Sequence, residues 1–137
     1  VLLHAFQMMC PGCVAHGTPL VEKAHRLFGD SGLQVIGLHT FFEHHAAMTP
    51  VALQAFIPEY HLTMPIGVDQ AGDGTLIPVT MGRFQMRGTP TSMLSGRDGA
   101  ILHHGFGQDD DMALGARIAA ALAVPAPIPV TEANDGR

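Results

Sequence analysis

Val1-Leu2-Leu3-His4-Ala5-Phe6-Gln7-Met8-Met9-Cys10-Pro11-Gly12-Cys13 is the stretch that decides the fold. Its first six residues make an apolar run of strand length. Its last four hold both cysteines of the chain, in a C-x-x-C spacing. After Pro11 the period changes. Leu20, Val21, Ala24, Leu27 and Phe28 recur at helical spacing, and Gly29-Asp30-Ser31-Gly32 stops the run. A cysteine pair between a strand and the start of a helix suits a dithiol that opens and closes as a disulfide. A structural bridge is a poor use of it, because closing so short a loop removes little entropy from the unfolded chain.

Outward from that stretch, the elements alternate. Leu33–Leu38 reads as a second buried strand, and 41–50 as a polar, His-rich loop. Val51–Tyr60 reads as a helix whose last turn Pro58 weakens. Pro65–Val68 is a short strand, 69–76 a Gly-containing loop, and Pro78–Met86 a helix with Pro in its first turn. Thr91–Leu94 and Ala100–Phe106 flank Ser95-Gly96-Arg97-Asp98-Gly99, which is hairpin chemistry. Asp109-Asp110-Asp111 precedes a helix over Met112–Leu122, with acids where the helix dipole favours them. The order β-α-β-α-β-α-β-β-α predicts an α/β domain over residues 1–124, parallel early and antiparallel late. The Pro-rich, polar end over 125–137 reads as a tail.

Composition bounds the partners. The 137 residues are 47% hydrophobic and 14% charged, with a formal net charge of -5. That balance gives no reason to expect nucleic acid or an anionic surface. No apolar run reaches the roughly 18 residues of a membrane span. The sequence opens without Met inside a strand-like run, so N-terminal strand residues upstream are expected. A structural zinc site asks for four ligands, and one cysteine pair supplies two. His44 and His45 could join Cys10, Cys13 or Glu43 in a copper or zinc site, so a metal-binding module or metallochaperone is the alternative reading. His103 and His104 point to opposite strand faces and cannot share one ion.

Taken together, the C-x-x-C after a strand, Gly88-Thr89-Pro90-Thr91 about eighty residues on, and the Asp98-Gly99 hairpin behind it resemble the thioredoxin fold. Thr40–Val68, with Val35-Ile36-Gly37-Leu38-His39-Thr40 before it and Pro65-Ile66-Gly67-Val68-Asp69 closing it, is similar to the insertion of the TlpA/ResA-type redoxin branch. The resemblance implies a three-layer α/β/α sandwich around a central mixed sheet. It implies a thiol:disulfide oxidoreductase without a cofactor or bound metal, acting on protein or small-molecule disulfides and dithiols with a redox partner. It also implies a cis Thr89–Pro90 bond beside the dithiol. Thiol peroxidase chemistry is less favoured, because the P-x-x-x-T-x-x-C signature of peroxiredoxins is missing before Cys10. Members of the branch are often exported and anchored in bacteria, whereas thioredoxins also work in the cytosol.

The resemblance assigns roles residue by residue. Cys10, at the helix N-terminus, is the expected nucleophile, its thiol held below the free value of about 8.5. Cys13, one turn inside, resolves the mixed disulfide. Pro90 blocks metal capture, and the Thr89 backbone meets an extended substrate. Met9, Pro11 and Gly12 shape the contact surface; Met9 stands where the family usually has Trp. His4 occupies the position where thioredoxin keeps a buried acid and is a candidate proton acceptor for Cys13. Glu43 is a second candidate, since the branch places an acid from the insertion near the dithiol. Pro19 comes one residue later than the helix Pro of the family, which predicts a kink or bulge near Gly17-Thr18.

Overall fold

The computed structural model describes residues 1–129. The first apolar run forms strand β1 (Leu2–Phe6), which lies at the centre of a five-stranded sheet. Its side chains alternate between two covered faces, which is why it reads as a continuous hydrophobic run. Leu2 joins a cluster with Val21, Val35, Leu94, Leu114 and Ile118 on one side. Ala5 joins Met81, Met86 and Met93 on the other.

The remaining strands are β2 (Val35–His39), β3 (Ile66–Val68), β4 (Thr91–Ser95) and β5 (Ile101–Phe106). The order across the sheet is β3-β2-β1-β4-β5. β1, β2 and β3 run parallel, while β4 and β5 are antiparallel to their neighbours. The expected mixed sheet is therefore present, with helices on both faces.

The helix after the dithiol is not uniform. Residues 11–12 are helical, Cys13–Gly17 forms a π-helical turn, and α1 (Thr18–Phe28) follows. The wider turn takes up the extra residue ahead of Pro19, as the spacing predicts. The end of α1 is a Schellman motif after a short 3₁₀ turn. Gly32 takes φ 108, its N–H bonds the Gly29 carbonyl, and the Leu33 N–H bonds the Phe28 carbonyl at 3.1 Å. Leu33 is thus spent on the helix stop, and β2 begins at Val35 rather than at Leu33.

Helix α2 (Pro50–Glu59) starts on Thr49, whose hydroxyl accepts from the Ala52 N–H at 3.2 Å. Helix α3 (Val79–Arg83) is shorter than its sequence suggests. Gln85 takes a left-handed φ of 51 and the Met86 N–H closes back on Met81. Helix α4 (Asp111–Ala123) is capped by the Asp110 carboxylate, which accepts from the Ala113 N–H at 2.9 Å.

Two buried carboxylates lock the layers together. Glu22 on α1 accepts from the Thr63 N–H at 2.7 Å, the Thr63 hydroxyl, the Met64 N–H and Arg26. Burial pushes its carboxyl up, but these bonds outweigh burial and hold it below the usual carboxylate value. Asp69 does the same between β3 and α3. Burial raises it, while the Thr80 backbone and side chain, the Thr40 hydroxyl and the Met81 N–H bring it below its ordinary value.

The segment 125–129 has no regular structure. The rest of the expected tail, 130–137, lies outside the described residues. No described helix is long and apolar enough to cross a membrane.

Candidate active site

β1 ends at Phe6, and the next four residues turn to present Cys10. The Cys10 N–H bonds the Gln7 carbonyl at 3.3 Å, and the Val14 N–H bonds the Cys10 carbonyl at 3.0 Å. Pro11 costs the helix nothing here, because first-turn N–H groups have no intrahelical partner. The free N–H of Cys13 instead donates to Cys10 Sγ at 3.2 Å. A negative sulfur at this point is favoured by that donor and by the helix dipole. Cys10 and Cys13 are joined as a disulfide, with Cα atoms 5.2 Å apart. Cys10 is half-buried, whereas Cys13 has no exposed surface.

The loop before β4 faces this pair. The Thr89–Pro90 bond is cis, and the Thr89 carbonyl oxygen lies 3.5 Å from Cys10 Sγ. A Cβ on Gly12 would meet Pro90 Cδ at 3.6 Å, an ordinary contact. Gly17 is different. A Cβ there would lie 2.9 Å from both His4 Cε1 and Pro90 Cβ. The π-helical turn therefore brings a residue without a side chain into the gap between His4 and the cis proline. Met9 and Pro11 stand exposed at the rim.

His4 is buried, stacked on Phe6 with ring centroids 5.5 Å apart, and its Nε2 lies 3.0 Å from Thr18 Oγ1. The Thr18 N–H bonds the Cys13 carbonyl, so a single residue links the imidazole to the second cysteine. Burial lowers His4 to about 4, against a smaller upward pull from the charge of Asp109. Glu43 is exposed, and among the described residues no hydrogen bond engages it. His44 and His45 are exposed as well, the latter edge-on to Phe41 at 5.2 Å. Among the described residues, no three His, Cys, Asp or Glu side chains group to hold a metal ion.

Two site residues escape a sequence reading. Gln7 is buried; its Nε2 donates to Thr89 Oγ1 at 3.0 Å and its Oε1 accepts from the Phe42 N–H at 3.3 Å. It holds together the dithiol turn, the cis-proline loop and the start of the insertion. His39 is also buried, and its Nε2 accepts from the Met8 N–H at 3.3 Å. Burial lowers it to about 4. The available signal was polarity out of place: a glutamine straight after an apolar strand, and a histidine closing one.

Neither a family model nor a curated protein matches the sequence. Solved structures do. The thioredoxin-like superfamily protein SPOA0173 is 49% identical, with a TM-score of 0.88; the alignment covers 92% of this chain and 81% of that one. The chain belongs to the thioredoxin-like superfamily. A thiol-disulfide isomerase from Corynebacterium glutamicum is 45% identical, with a TM-score of 0.87, over 90% of this chain and 80% of that one. StoA from Bacillus subtilis, at 20% identity, a TM-score of 0.67 and coverage of 85% and 79%, shares the fold. This superfamily member has both the fold and the cysteine pair of a disulfide oxidoreductase.

Proposed function

We propose that the protein exchanges disulfides with protein or small-molecule partners, Cys10 acting as nucleophile and Cys13 as resolving thiol. The observation that carries this reading is the asymmetry of the pair. Cys10 Sγ sits at the surface between a helix N–H and the Thr89 carbonyl, while Cys13 is fully covered behind it. Only the outer sulfur can meet a foreign disulfide in line.

In the reducing direction, Cys10 thiolate attacks one substrate sulfur, and the substrate S–S bond breaks to release a thiolate that takes up a proton. Cys13 then loses its proton and attacks Cys10 Sγ. The Cys10–Cys13 bond forms, and the mixed disulfide breaks to release the second substrate thiol. The oxidising direction is the same sequence reversed. Pro90 keeps the space over the pair closed to other ligands, and the Thr89 backbone aligns an extended substrate segment. His4 is the proton acceptor the geometry favours for Cys13, since Thr18 joins the two and Glu43 stands out in solvent.

Reduction of insulin by dithiothreitol tests the assignment. Cys10→Ser is expected to lose turnover entirely. Cys13→Ser is expected to accumulate a mixed disulfide visible by mass under non-reducing conditions. Wild-type turnover in Cys10→Ser, or no trapped adduct in Cys13→Ser, sinks it.

A further inference from the structure

A row of polar side chains crosses the sheet under the dithiol helix. His4 on β1 pairs in register with Ser92 on β4, and Ser92 pairs with Gly105 on β5. Directly opposed residues of an antiparallel pair share a face, so these three positions lie side by side. His103, two residues before Gly105, points to the same face. A carboxylate closes the row from above: Asp109, in the turn between β5 and α4, accepts from the Ser92 hydroxyl and lies 3.0 Å from His103 Nε2. Gly105 is what leaves it room, because a Cβ there would meet His103 Nε2 at 2.8 Å and Asp109 Oδ1 at 3.0 Å. Ser92 is buried and Asp109 nearly so, its side chain 17% exposed. The side chain that caps α4 is the neighbouring Asp110, which leaves the Asp109 carboxylate to the row.

We propose that Asp109 is a positioning residue of the exchange centre, acting through Ser92 and His4 on the proton that Cys13 must give up. The inference rests on the exchange role proposed for Cys10 and Cys13. Its physical logic is electrostatic. An imidazole buried this deeply resists a proton, as desolvation makes plain. Negative charge at either end of the row favours the protonated ring. The Asp109 carboxylate supplies such charge from one end, and Cys13 supplies it transiently as its thiolate forms. His4 therefore gains proton affinity when the resolving thiol needs an acceptor, and returns the proton once the released substrate thiolate needs it. No electron leaves the disulfide couple in this step; one proton moves from the Cys13 sulfur to the His4 nitrogen and on to the released substrate sulfur.

Other titratable groups lie around Asp109. His103 comes from β5, and a pocket of about 210 Å³ beside Asp109 is lined by His16, Lys23 and Asp111 from the dithiol helix, α1 and α4. That pocket gives the carboxylate its contact with solvent.

The test follows the His4 ring resonance by NMR titration and the pH profile of insulin reduction in the same variants. Asp109→Asn, which keeps an acceptor for Ser92, is expected to lower the His4 midpoint and displace the exchange profile by roughly half a pH unit or more. Ser92→Ala is expected to shift both in the same direction, and carries the test should Asp109→Asn fail to fold. Asp111→Asn, in the same pocket without a bond to the row, is expected to leave both at wild type. Folded Asp109→Asn and Ser92→Ala proteins with wild-type midpoint and profile overturn the proposal. Exchange that persists in Cys10→Ser overturns the catalytic assignment instead, and the His4 midpoint still reports whether Asp109 acts on the ring.

Discussion

His4 and His39 flank the same phenylalanine, equally buried, and burial lowers both to about 4. Phe6 stacks on the first at 5.5 Å and tilts against the second at 5.3 Å. Yet they hold opposite ends of the dithiol segment. His39 accepts from the Met8 N–H and fixes the chain as it enters Cys10. His4 meets the Thr18 hydroxyl and supports the helix as it leaves Cys13. His39 works as a backbone acceptor and is lowered by burial alone; His4 also lies in the field of Asp109. Equal burial thus supports two kinds of work, and the neighbours decide which.

Acid should expose what the two share. Each folded-state value lies below the ordinary 6.5, so the unfolded chain binds protons that the folded chain refuses. Their contribution is complete above about 6.5, falls as pH drops toward 4, and levels off below it. For His4 the loss is about 3 kcal/mol, and His39 adds in the same direction. Denaturant unfolding of the oxidised protein at pH 7 and at pH 4.5 measures it; equal midpoints would remove the buried-imidazole account. Glu22 and Asp69 extend the loss to lower pH, because their depressed carboxyls stabilise only while ionised.

Single substitutions should then separate the pair. His39→Leu leaves the Met8 N–H without its acceptor and is expected to cost about 1–3 kcal/mol. It should also change the iodoacetamide reactivity of reduced Cys10, whose turn it anchors. Thr18→Val is expected to cost about 1–2 kcal/mol by stripping His4 of its partner, while leaving Cys10 alkylation near wild type. Matching alkylation rates in the two variants would erase the entrance–exit distinction. Met9→Ser, at the exposed rim, should stay within about 0.5 kcal/mol of wild type and slow turnover of insulin alone. A stability loss there would show that Met9 packs inward.

Much of this was written in local chemistry. The dithiol and the Asp98-Gly99 hairpin depend on neighbours in sequence, while the cis Thr89–Pro90 bond and the bulge ahead of Pro19 followed from the resemblance to the thioredoxin fold. Residues whose meaning comes from register were harder. His39 becomes an acceptor for Met8 only because β2 pairs with β1 one residue past Leu38. Asp109 looks like one more acid at a helix start; Asp110 makes the cap and Asp109 turns inward to Ser92. Glu22 gains its main-chain partners only once Thr63 and Met64, some forty residues on, are folded against it. Glu43 offered the right charge near the right segment, but its loop leaves it in solvent.

The π-helical turn at Cys13–Gly17 has a mechanical meaning. Each residue added to a regular helix swings everything beyond it by about 100°. Here that swing is spent within one loose coil, so α1 keeps its apolar stripe on the sheet. The turn is slack stored directly behind the second sulfur. Removing one residue from it, at Ala15 for example, should tighten the coil to ordinary α pitch and leave the far end of α1 where it is. The sulfur end of the helix would then have to open and close without any give.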